Sequence, residues 1–234
     1  MSEVALQLSQ VHAWYGESHV LHGIDLTVNK GELVTLLGRN GAGRTSTLKA
    51  ILGLTTRVSG VITVNGTSAV GLPTHQIARL GLGYCPEERG IFSSLTCEEN
   101  LLLPPLIGPV GMSLESIYEM FPNLYERRHS PGTRLSGGEQ QMLAMARILR
   151  GGASILLLDE ITEGLAPVIV KTLGRVIREL KSRGFTIVLV EQNFAFAAPL
   201  ADRHYVIEHG QVATVVHQHE LTAKTALLHE YLGV

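Results

Sequence analysis

Gly38-Arg39-Asn40-Gly41-Ala42-Gly43-Arg44-Thr45-Ser46 stands between an apolar run, Leu33-Val34-Thr35-Leu36-Leu37, and a helix-forming run, Thr47-Leu48-Lys49-Ala50-Ile51-Leu52. Strand, glycine-rich loop and helix in that order are the setting of a phosphate-binding loop. The glycines let successive backbone N–H groups turn inward, and the helix N-terminus adds a partial positive charge. The pattern calls for Lys before the hydroxyl residue Thr45, and this chain has Arg44 there. A glycine-rich turn before a helix reproduces part of the pattern by chance; Thr45 and the later motifs favour a nucleotide.

The 234 residues suffice for one large α/β domain with a full core. The chain is 45% hydrophobic and 17% charged, as globular proteins are, and its net charge of −2 argues against a broad nucleic-acid surface. Its two cysteines, Cys85 and Cys97, have neither zinc-site spacing nor a disulfide framework, which fits a reducing compartment. Met1-Ser2-Glu3-Val4-Ala5-Leu6 lacks the form of a signal peptide. No run of about 18 apolar residues occurs, so membrane work would need other chains as anchors.

Taken in order, Val4 to Val11 alternates as a strand, and Val20 to Val28 is a second one. Val58 to Gly66 reads as strand and turn, Pro73 to Leu80 as a short helix, Leu82 to Cys85 as a short strand. From about Ile91 to Pro131 the periodicity turns helical, in Glu98 to Leu103 and Leu114 to Tyr125, with breaks at Pro104-Pro105 and Gly108-Pro109-Val110-Gly111. This stretch is a helical insertion, too short for a large core of its own. A helix over Gln141 to Leu149 follows, with Ser136 as a good cap. Ala153 to Leu158 and Phe185 to Val190 are apolar throughout, as central parallel strands are. An amphipathic helix, Val168 to Ser182, lies between them. A hairpin, His204 to Val216, and a helical tail, Ala223 to Leu232, finish the chain. His217 and His219 are expected on a solvated strand end.

Asp159-Glu160 closes the first of those apolar strands. Polar residues often do no more than end a strand. Beside a phosphate loop they acquire specific uses: Mg²⁺ held by the Thr45 hydroxyl and the Asp159 carboxylate, and water oriented or deprotonated by Glu160. Leu135-Ser136-Gly137-Gly138-Glu139-Gln140 is a second anion-binding pattern, a hydroxyl and glycine N–H groups at a helix start. Its distance in sequence from the first loop suggests that it serves another molecule's nucleotide; a merely capped helix is the plain alternative. Tyr15, upstream of the phosphate loop, is placed either to stack on a nucleobase or to pack on a sheet edge.

Over essentially its whole length the chain resembles the nucleotide-binding subunits of ATP-binding cassette (ABC) transporters. Tyr15, the phosphate loop, Leu135 to Gln140, Ile155 to Glu160 and Glu191-Gln192-Asn193 stand in that family's order. Pro86 to Phe92, Glu163 to Pro167, Val190 to Asn193 and Tyr231-Leu232-Gly233 are similar to the second ATPase subunit of branched-chain amino acid importers, the LivF type; urea and amide importers use close relatives. The resemblance implies a single domain over residues 1–234. Its fold would be α/β, with a P-loop NTPase (RecA-like) core, a mostly parallel sheet and an N-terminal antiparallel β subdomain. A helical subdomain would be inserted at about residues 91–150. It implies ATP and Mg²⁺ as ligands. Tyr15, Gly38 to Ser46, Glu87 and Ser136 to Glu139 would hold nucleotide; Thr45, Asp159 and Glu87 would serve the metal; Glu160, Gln192 and Arg44 would serve catalysis. Two ATPase chains would sandwich two ATP molecules head to tail, the second chain being usually a different, related one, although a homodimer stays open. Two permease chains and, indirectly, a solute-binding protein would complete the assembly, with no nucleic acid. The location implied is the cytoplasmic face of the inner (plasma) membrane, peripheral through the permeases.

Four positions depart from the wider family pattern. Arg44 replaces the loop Lys, Glu87 stands for a common Gln, Gln192 for the switch His, and Ala166 for an aspartate. An actively hydrolysing subunit, which Glu160 favours, and a mainly regulatory half-site, which Arg44 and Gln192 favour, both remain open at this stage. A soluble cassette ATPase of translation or DNA repair is disfavoured by the single cassette, the missing coiled coil and the non-basic charge.

Overall fold

The computed structural model describes residues 3–108 and 111–233, so Met1-Ser2 and the break at Pro109-Val110 lie outside the described residues. Strands β1 (Val4–Tyr15) and β2 (Ser18–Asn29) form a hairpin, and β3 (Leu33–Leu37) runs through the glycine-rich loop into helix α1 (Arg44–Ile51). Next come β4 (Arg57–Val64), β5 (Thr67–Ser68), α2 (Thr74–Ala78) and β6 (Leu82–Cys85). Helices α3 (Cys97–Leu102), α4 (Leu114–Met120), α5 (Pro122–Glu126) and α6 (Gly137–Arg150) lie between β6 and β7 (Ile155–Asp159). The rest is α7 (Pro167–Ser182), β8 (Thr186–Val190), α8 (Phe194–Ala197), β9 (Arg203–Glu208), β10 (Gln211–His217) and α9 (Leu221–Leu232).

A six-stranded sheet has the order β10-β9-β3-β8-β7-β6, parallel except where β10 pairs with β9. A second sheet, β2-β1-β4-β5, is antiparallel. The uninterrupted apolar strands have the composition of a sheet covered on both faces, and their side chains divide accordingly. Leu33, Leu37, Leu156, Leu158, Ile187 and Leu189 face the core shared with α3, α6 and α7. Val34, Leu36, Ile155, Leu157, Val188 and Val190 face the core shared with α1, β1 and β2. The three layers hold the carboxyl ends of β3 and β7 side by side across β8, and the loops that carry the chemistry leave from those ends.

Short elements β5 and α8 have no counterpart in the sequence reading, and three longer ones differ from it for local reasons. β1 continues past Val11 to Tyr15, because a register shift between Leu8 and Val11, with Gln10 in a left-handed conformation, interrupts the alternation. The periodic stretch Leu114 to Tyr125 is two helices. Pro122 bars the preceding Phe121 from helical geometry and then opens α5 itself. Helix α6 begins at Gly137, four residues before the apolar periodicity starts, because Ser136 and Glu139 form a reciprocal capping box. Among the described residues no helix is long and apolar enough to cross a membrane.

Glu191, just after β8, ties that strand end to the loop following β7. Its buried carboxylate accepts from Thr162 N at 3.1 Å and Thr162 Oγ1 at 2.9 Å. Burial outweighs these bonds and pushes its carboxyl up from 4.5 to about 7. The native state therefore binds more protons than the unfolded chain between those values. The contribution to stability is full below about pH 4.5 and is lost as pH rises through about 7. The shift corresponds to roughly 3 kcal/mol. Urea unfolding of Glu191→Gln at pH 5 and pH 8 checks this: the variant should gain on the parent by up to roughly 3 kcal/mol as pH rises. A pH-independent difference contradicts it.

Candidate active site

The phosphate loop is shaped by close backbone packing. Gly38 has φ +150°, and a Cβ there would lie 2.3 Å from the Ile207 carbonyl oxygen of β9. Gly43, at φ +111°, caps α1 with no side-chain hydrogen bond, so the first-turn N–H groups have no side-chain cap. The Ala42 carbonyl accepts from Gly210 N at 2.8 Å, which fastens the loop to the β9–β10 turn. Backbone donors and the helix start thus face a cleft of about 290 Å³ lined by Asn40, Gly41, Gly43 to Ser46, Glu87, Glu160, Glu163 and Gln192. A larger, more apolar cleft of about 510 Å³ beside α6 contains none of these groups.

Two polar contacts join α1 to the end of β7. In the first, Thr45 Oγ1 donates to Asp159 Oδ1 at 3.0 Å, while the Tyr84 hydroxyl of β6 donates to Asp159 Oδ2 at 3.0 Å. Burial raises the proton affinity of Asp159, against these two bonds. A hydroxyl and a carboxylate meeting at a helix start form an all-oxygen donor set, which suits Mg²⁺.

The second contact centres on Arg44, which is 4% exposed. Its Nη2 donates to Glu160 Oε1 at 2.8 Å and to Asn40 Oδ1 at 3.1 Å. Its Nη1 is buried and has no hydrogen-bond partner among the described residues. Gln192 Nε2 reaches Glu160 Oε2 at 3.2 Å and also donates to Asn40 Oδ1. Glu160 has φ +45°, a left-handed backbone that a glutamate adopts only when its surroundings enforce it. Glu87, Glu160 and Glu163 bring carboxylate oxygens within 4.8 Å of one another. The hydrogen bond from Glu163 to Glu160, then burial, raises the proton affinity of Glu163.

The remaining sequence-derived positions lie apart. Arg39 lines a separate recess with Glu208 and Tyr231. Ala42 is buried, and its N–H donates to Arg39 O at 3.1 Å. Tyr15 stands exposed at the end of β1, outside the residues lining the phosphate-loop cleft. Ser136 is exposed, Gly138 is buried against Ile169 of α7, and Glu139 accepts from Ser136 N at 2.7 Å. No residue from 135 to 140 lines the cleft. Glu87 lies with Glu160 and Glu163, lines the same cleft as Thr45, and its charge is felt at Asp159. Two residues of the site were not singled out from sequence. Glu163 carried a signal, three positions beyond Glu160; Tyr84 reaches Asp159 only through the pairing of β6 with β7.

The model of the family described as "ABC transporter" matches residues 21–163. The high-affinity branched-chain amino acid transport ATP-binding protein BraG of Pseudomonas aeruginosa is 41% identical over 210 residues, 88% of this chain and 90% of that protein. The lipopolysaccharide export system ATP-binding protein LptB of Acidithiobacillus ferridurans is 32% identical over 240 residues, covering 100% of this chain and 98% of that one. The crystal structure of a nucleotide-free ATP-binding cassette from an ABC transporter superposes with a TM-score of 0.83 at 20% identity, covering 99% of both chains, which speaks for the fold alone. The chain belongs to the ABC transporter family, as an ATP-binding cassette with ATPase activity.

Proposed function

We propose that this chain powers an importer of branched-chain amino acids. The 41% identity to BraG over nearly the whole chain carries that choice of solute class against the export system of LptB. In this reading Gly38 to Ser46 receive the ATP phosphates, with backbone N–H groups and the Arg44 guanidinium neutralising their charge. Thr45, Asp159 and Glu87 would hold Mg²⁺, which would offset charge on the phosphate oxygens. Glu160 takes the proton of the attacking water, and Gln192 orients that carboxylate and the γ-phosphate. Tyr15 stacks on the base.

The placement of Ser136 to Glu139 away from the cleft supports their use on the nucleotide of a second ATPase chain. Each of two sites would then combine one chain's phosphate loop with the other's Ser136 loop, so that ATP closes the pair and hydrolysis opens it. We assign the docking of the permease chains to the 510 Å³ cleft, whose walls include Tyr84, Leu106 and Arg147. Exposed Leu106 gives it an apolar rim. The assembly would sit at the cytoplasmic face of the membrane, fed by an external solute-binding protein.

Three experiments test these roles. Glu160→Gln in the assembled complex should lower ATP turnover at least a hundredfold at this site, the scale of a lost general base. Unchanged turnover removes Glu160 from that role. Ser136→Arg should block ATP-dependent pairing in light scattering while leaving nucleotide affinity of the single chain within about threefold. Loss of both contradicts the role in trans. Leu106→Glu should abolish co-purification with the permease chains, and retained co-purification places docking elsewhere.

A further inference from the structure

Arg44 offers two edges, and the structure uses only one. Nη2 is engaged by Glu160 and Asn40, whereas buried Nη1 lacks a partner in a wall of the phosphate-loop cleft. A buried guanidinium nitrogen left unpaired is costly, and an anion in the cleft would satisfy it. Glu160 is the opposite case. Its Oε1 accepts from Arg44, and its Oε2 accepts from Gln192. Each of these donors takes up a lone pair and stands where a water would approach, so a water must compete with them for Glu160. The Arg44 contact is the stronger of the two. It is charge-assisted, and its partners are only 4% and 11% exposed.

We propose that Arg44 is a positioning residue that bridges nucleotide phosphate and Glu160, holding Glu160 in place and restraining it as a base. This rests on the reading that the cleft takes ATP. Phosphate binds the free Nη1 while Nη2 stays on Glu160, so nucleotide capture does not require the ion pair to break. Proton transfer, by contrast, has to compete with that pair for the carboxylate. A lysine has a compact single head instead of a planar fork, so it cannot bridge these partners in the same way. The departure from Lys thus fits a site that holds ATP long before cleaving it.

The test compares the parent, Arg44→Lys, Glu160→Gln and the double variant within the assembled complex. Affinity for a non-hydrolysable ATP analogue and single-turnover hydrolysis are both measured. Arg44→Lys should keep affinity within about threefold and raise hydrolysis about tenfold, the worth of one charge-assisted hydrogen bond. The double variant should lose that gain and match Glu160→Gln. Slower hydrolysis in Arg44→Lys, or a gain that survives with Gln at position 160, overturns the restraint. Absence of analogue binding in all four proteins overturns the nucleotide reading itself.

Discussion

A cation buried between a phosphate loop and a carboxylate is the constraint on which the site depends. Arg44 begins α1, Glu160 directly follows β7, and the two are 116 residues apart in sequence. A charge as secluded as Arg44 persists only with a partner, because an unpaired buried ion costs several kcal/mol. The Glu160 contact therefore fixes where the loop, the helix start and the strand end stand relative to one another. The Thr45–Asp159 bond repeats the tie one residue later on the α1 side and one residue earlier on the β7 side. Close packing of Gly38 on β9 and Glu191 on the loop after β7 supplies the rigid surround.

Much of this was legible in the residues. Strands buried on both faces announced themselves as unbroken apolar runs, and β3, β7 and β8 are where Leu33 to Leu37, Ala153 to Leu158 and Phe185 to Val190 placed them within a residue or two. Elements failed to show where local geometry interrupts periodicity. The irregular register around Gln10 hid the second half of β1, and Pro122 divided a helix whose apolar spacing ran on unbroken. At the site, the phosphate loop and Asp159-Glu160 carried their chemistry in residue type and order. The Arg44–Glu160 contact did not, because the pairing of partners so far apart in sequence depends on strand order. Tyr84 was hidden for the same reason: its hydroxyl matters only because β6 lies beside β7.

The arrangement also separates two tasks that one nucleotide site must perform. Backbone N–H groups at the head of α1 are fixed donors with no protonation to lose, suited to holding phosphate. The carboxylates across the cleft, Glu87, Glu160 and Glu163, crowd within 4.8 Å and would repel both one another and a triphosphate. Arg44 stands between the two groups. Its positive charge is paired with Glu160 in the wall of the same cleft, beside a cluster of like-charged carboxylates. The capped start of α6 lies outside the residues lining this cleft.

The most direct test of the account is a structure of the chain, paired with its partner ATPase and bound to a non-hydrolysable ATP analogue. The account predicts the triphosphate against residues 38–46, with Arg44 Nη1 on a phosphate oxygen and Nη2 still on Glu160. A triphosphate bound outside that loop, or an Arg44 turned wholly onto phosphate with Glu160 released, would contradict it.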